Sequence, residues 1–153
     1  MTTTTSALRR AAGWNRPLMV LLAASAVLTV VAAVGVFTDG RVLTGAPIWL
    51  KPFKFAVSFV LYAGTLAWML SLLPVRSRLA RAAAVAILAT AVLELVIIVA
   101  QVIRGQTSHF NATTPLNDLL FGIMGAAVMM LFAAHFLIGA VVLRARLADR
   151  VSA

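Results

Sequence analysis

Cysteine is absent from all 153 residues. That removes disulfides, thiolate metal sites and thiol nucleophiles from consideration. Charge is scarce too: Asp, Glu, Lys and Arg together make up 11% of the chain, against 63% hydrophobic residues. A soluble globular domain carries about 25% charged residues, so this composition belongs to another class of protein. The only lysines are Lys51 and Lys54, and the only tyrosine is Tyr62. Histidine is limited to His109 and His135. The first falls in a polar loop and the second about 24 Å along the helix that follows, so the pair cannot ligate one ion. No metal site and no cofactor is expected.

What the chain has in abundance is long apolar runs. Residues 17–37, 53–73, 82–103 and 119–143 are each long enough to cross a bilayer core, which takes about 20 residues of helix. The fold class predicted is all-α: a four-helix transmembrane bundle, up-down-up-down, forming one integral membrane domain over residues 1–153. The first run is about twice as long as a signal-peptide h-region and meets no small-residue cleavage site before Asp39, so it reads as a span. Residues 1–8, rich in threonine, are expected to be disordered.

A net charge of +9 suggests nucleic acid, but its distribution suggests a membrane. Arg9, Arg10 and Arg16 precede the first run, Arg76, Arg78 and Arg81 separate the second from the third, and Arg144, Arg146 and Arg150 follow the core of the fourth. If every run crosses once, these clusters share one side. The positive-inside rule then places both termini and the middle loop in the cytoplasm. The partner implied is the lipid bilayer and its anionic headgroups, with no nucleic acid.

Two loops, residues 38–50 and 104–118, remain for the outer side, and the dense polar content lies in or just beneath them. Glu94 interrupts the third run about 15 Å below Arg104, near the bilayer midplane. A carboxyl group at that depth costs several kcal/mol unless it is paired or protonated, which marks it as a functional candidate. Thr90, Glu94 and Gln101 fall within about 40° on a helix wheel, with Arg104 at the edge. On the second run, Lys54, Ser58, Tyr62 and Thr65 fall within about 80°, and Lys51 joins them if the helix continues through Pro52. The two stripes are expected to face each other, because lipid would leave their polar groups unsatisfied. At either lysine, snorkelling to the headgroups competes with a site role. Gly105 allows the chain to turn, and Ser108, His109 and Asn111 then crowd three hydrogen-bonding groups beside Phe110.

Other features read as structural. Asn117 or Asp118 is expected to cap the fourth helix. His135 shares a face with Met124, Val128 and Leu131, which suggests a neutral histidine in the core or at an interface. Gly122, Ala126, Met129, Ala133 and Ala140, with Gly125 nearby, form a small-residue stripe suited to close helix packing in lipid.

The segments Trp49-Leu-Lys-Pro-Phe-Lys-Phe-Ala-Val-Ser58 and Gln101-Val-Ile-Arg-Gly-Gln-Thr-Ser-His-Phe-Asn111, together with Glu94, resemble an uncharacterised family of small four-span bacterial membrane proteins. Its recurring patterns are W-x-K-P-x-K-F and R-G-x-x-S-H-F-N. The resemblance implies a bacterial plasma-membrane setting and groups Lys51, Lys54, Glu94, Gln101, Arg104, Ser108, His109 and Asn111; it names no reaction. With Ser58 and Tyr62 added, these are the candidate ligand-binding residues. Three functions compete. One is a small binding, sensing or transport-associated component, whose outward polar pocket takes an anionic lipid or small acid and which acts as a homo-oligomer if it transports. Another is an intramembrane enzyme on an outer-leaflet lipid or isoprenoid, with His109 and Glu94 as acid–base groups. The third is a structural membrane subunit.

Overall fold

In the structure, a computed structural model, residues 15–71 and 77–151 are described. The disorder expected at residues 1–8 and the end of the second run at Leu73 lie outside them, as do Arg9, Arg10 and Arg76. Four helices account for most of the chain: α1 (Arg16–Thr38), α2 (Leu50–Ser71), α3 (Arg78–Ile103) and α4 (Pro115–Val151). All four are long and apolar enough to cross a membrane. Between α1 and α2 stands a small antiparallel ribbon, β1 (Val42–Leu43) and β2 (Ala46–Pro47), with Val42 opposite Pro47 and Leu43 opposite Ala46. Its turn residues, Thr44 and Gly45, have φ of 52° and 80°. Two consecutive left-handed residues match the twist of a two-residue hairpin; Gly45 adopts that state freely, whereas the β-branched Thr44 is strained there.

Each helix starts before its apolar run does, because first turns recruit polar caps and proline, which hydropathy does not register. Pro52 sits in the first turn of α2, where its missing N–H leaves nothing unsatisfied, so Lys51 and Lys54 share that helix. Ser77 caps α3 by accepting from the Ala80 amide at 3.2 Å. Thr114, and neither Asn117 nor Asp118, caps α4: its Oγ1 accepts from the Asn117 amide at 3.2 Å, and Pro115 opens the helix.

Helix α1 packs against α2, α3 against α4, and α1 against α3. The core they share is rich in alanine: Ala63, Ala67, Ala83, Ala84, Ala91 and Ala134 are buried beside Leu18, Leu21, Ile87 and Ile138. Small side chains let the helix backbones approach closely, so dispersion between them replaces the hydrophobic drive that lipid does not supply. A second cluster joins Ile97, Ile98 and Met124, with Phe55 against it. The small-residue stripe of α4 plays no part in this core. Gly122, Gly125, Ala126, Ala133 and Ala140 are exposed, and α4 packs instead through Met124, Ala127, Ala134 and Ile138.

One polar lock fastens the ribbon. Asp39 accepts from the Arg41 guanidinium at 2.7 Å and from Trp49 Nε1 at 2.9 Å. These donors hold its carboxyl well below the usual carboxylate range. Arg41 Nη1 reaches across to the Val102 and Ile103 carbonyls at 3.2 and 3.5 Å. The Trp49 ring lies over Gly35 so closely that a Cβ there would come 2.5 Å from it.

Gly35→Ala should therefore cost about 1–3 kcal/mol through overpacking, read as a lower melting temperature in detergent. An unchanged melting point would show that Trp49 is free to move. For Asp39 the folded pKa is depressed, so its contribution is present above the ordinary carboxylate pKa and is lost as pH falls below it. Asp39→Asn should melt lower than the parent near neutrality, and the gap should narrow progressively as pH falls below about 4. A gap that stays constant on acidification would refute the assignment.

Candidate functional site

The last turn of α3 and the loop after it form the rigid half of the site. Gly105, at φ 66°, turns the chain out of the helix, and the Gln106 amide donates back to the Gln101 carbonyl at 2.8 Å. Gln101 is buried and fully engaged. Its Nε2 donates to the Thr107 carbonyl at 3.2 Å and to Asn117 Oδ1 at 3.1 Å, while its Oε1 accepts from Arg104 at 2.7 Å. Asn111 is buried as well, donating to the Thr107 carbonyl at 2.9 Å and accepting from the Thr113 hydroxyl at 2.6 Å. Gln101, Arg104 and Asn111 thus hold the loop's shape, with Asn117 as a partner that sequence reasoning assigned only to capping.

The network leaves His109 facing Lys51. Lys51 Nζ lies 2.9 Å from His109 Nδ1, and Ser108 Oγ lies 3.1 Å from the same nitrogen. The rings of Phe55, Phe121 and Phe110 surround the imidazole, with centroids at 5.7, 6.3 and 6.5 Å. Burial, and then the Lys51 charge, pushes the His109 pKa below its ordinary value and favours the neutral ring. Lys51, Lys54, Ser108 and His109 line a cavity of about 450 Å³, whose other walls come from the ribbon and from Ile98 and Val102 of α3.

Glu94 lies one turn below Ile98 on α3 and is 2% exposed. Neither carboxyl oxygen has a hydrogen-bond partner. Lys51 is the cation whose charge acts on it, though the pair is not in contact: among the described residues the one ion pair within 4.0 Å is Arg41–Asp39.

The expected facing of two polar stripes holds for one of them. Thr90, Glu94 and Gln101 point inward, whereas Lys54, Ser58 and Thr65 of α2 are exposed. The reason is that α2 buries the opposite face, Pro52, Ala56, Ala63 and Ala67, largely against α1. Tyr62 joins neither group. Its hydroxyl contacts His135 Nδ1 at 3.1 Å with the rings stacked at 5.8 Å, so His135 is an exposed partner of Tyr62 and not a core residue. Ser58 and Tyr62 therefore lie apart from the cavity. No cluster of three metal-ligating side chains occurs among the described residues. The sequence reading also missed the Asp39–Arg41–Trp49 lock; an Asp and an Arg flanking a glycine, just before a helix that opens near Trp, was the available signal.

No protein-family model, curated protein or solved structure matches this chain.

A carboxyl group buried without a partner opposes folding by about 1–3 kcal/mol. Glu94→Leu, close in volume and apolar, should therefore melt higher than the parent in detergent. If it melts lower, Glu94 holds the helices together and the carboxyl group is structural.

Proposed function

We propose that this is a small multi-pass protein of a bacterial plasma membrane that binds an amphipathic anion, a carboxylate or phosphate group attached to an apolar tail, at its outer face. The observation that carries the reading is the cavity in which Lys51, Lys54, Ser108 and His109 meet the apolar wall of Ile98 and Val102. Ammonium and hydroxyl donors suit an anionic group, and the hydrocarbon wall suits its tail.

The helices run up-down-up-down, with both termini cytoplasmic. Arg16, Arg78, Arg81 and Arg144 support this, since they belong to the helix ends away from the cavity, and the remaining clustered arginines follow the same pattern in sequence. An anionic lipid headgroup and a free long-chain acid share the required chemistry. The Ser108–His109 contact supports a second reading, an enzyme acting on that headgroup with His109 as the acid–base group.

The test is thermal stabilisation of the purified chain by oleate, an isoprenoid phosphate, phosphatidylglycerol and inorganic phosphate. A tailed anion at 100 times its Kd should stabilise by about 2.7 kcal/mol, and phosphate alone should do far less. Lys51→Met combined with Lys54→Met should remove the shift while the protein still melts cooperatively. Oleate alone acting would indicate a free acid; phosphatidylglycerol or the isoprenoid phosphate acting would indicate a headgroup. No shift from any anion, or a shift that survives in the double variant, would refute the proposal.

A further inference from the structure

His109 is the cavity group whose bonding must change when an anion enters. An ammonium group has only donors, so the 2.9 Å contact means that Lys51 donates to Nδ1. A ring nitrogen that accepts such a bond carries no proton. Ser108 Oγ, 3.1 Å from the same atom, then shares that single lone pair with Lys51 as the second donor of a three-centre contact. The ring is therefore neutral, and the donor contacts place its proton on Nε2. Burial and the Lys51 charge lower its pKa, which agrees with a neutral ring.

An anion in the cavity competes for the same two donors, because Lys51 and Ser108 both line it. As they turn to the ligand, Nδ1 loses both hydrogen bonds. The repulsion that Lys51 exerts on a protonated ring is offset by the incoming negative charge. Both changes raise the proton affinity of Nδ1. Phe55 of α2 and Phe121 of α4 flank the ring and limit its movement, so the new bonding is met by a proton.

The charged groups around His109 agree with this. From α2 come Lys51 and Lys54, cations that lose influence once an anion neutralises them. From α3, Glu94 acts through Lys51 from outside the cavity, and Arg104 is engaged by Gln101. From α4 the uncharged Phe121 meets the ring, and Asp118 is exposed in the first turn. The ribbon residues on the lining, Leu43, Ala46 and Ile48 among them, do not titrate.

We propose that anion binding at this cavity takes up one proton from solution onto His109 Nδ1, so that the site loads in acid and releases as pH rises. This rests on the anion-binding reading above. The experiment is calorimetric titration of the intact chain in detergent with a long-chain alkyl sulfonate, whose headgroup does not titrate between about pH 5 and 8. Two buffers of different ionisation enthalpy report the protons exchanged. The result expected is uptake approaching one proton near pH 7, with Kd falling up to tenfold per unit of acidification. His109→Gln should bind with a flat pH profile and no uptake, whereas His135→Gln should behave as the parent does. Binding with equal Kd across the range and equal heats in both buffers overturns the proton coupling and leaves the anion site standing. Uptake that disappears in His135→Gln and persists in His109→Gln overturns the assignment to His109. No binding at any pH overturns the anion site itself.

Discussion

A helix leaves its last carbonyl groups without partners of its own, and the structure is organised around supplying them at the C-terminal end of α3. Arg41 supplies two of the missing donors from the ribbon, reaching the Val102 and Ile103 carbonyls. Gln106 and Gly105 supply others from the chain's own turn. Because Arg41 is itself held by Asp39, and Asp39 by Trp49, the end of α1, the ribbon, the start of α2 and the end of α3 are bound into one polar knot. The Gln101–Asn117 bond ties in α4. The cavity lies among these fixed pieces, which is why its donors stand at defined positions.

Hydrogen bonding is unevenly distributed here, and the uneven distribution carries the functional argument. Gln101, Asn111 and Asn117 use their amide groups on the protein itself, so they build the scaffold. Glu94 uses neither oxygen. Lys51 stands between the two conditions, in contact with His109 and within the electrostatic reach of Glu94. A protein that only needed stability would gain by replacing such a carboxyl group with a methyl-bearing side chain.

Much of the fold was legible because apolar runs of bilayer length permit few alternatives. The inward stripe of α3 was legible for a related reason: Thr90, Glu94 and Gln101 repeat at helical spacing on the helix that is buried by three neighbours. The stripe of α2 repeats just as regularly, yet periodicity says which residues share a face and not which face meets protein. Alanine decided that, through the close α1–α2 contact opposite Ser58 and Thr65. The loop motif announced Ser108 and His109 by its density of polar groups. It could not announce Lys51 as their partner, since 58 residues separate Lys51 from His109. The cap of α4 was misplaced because Asn117 resembles a cap in isolation. Thr114 took that role, and Asn117 was left free to meet Gln101 across the turn.

The length of α4 has a geometric consequence. Its 37 residues extend about 55 Å, whereas a hydrocarbon core is about 30 Å thick. Tilt absorbs only part of that excess. The stretch of α4 apolar enough to cross a membrane ends at Ala145, so the excess length falls after it, in the turns that run on to Val151.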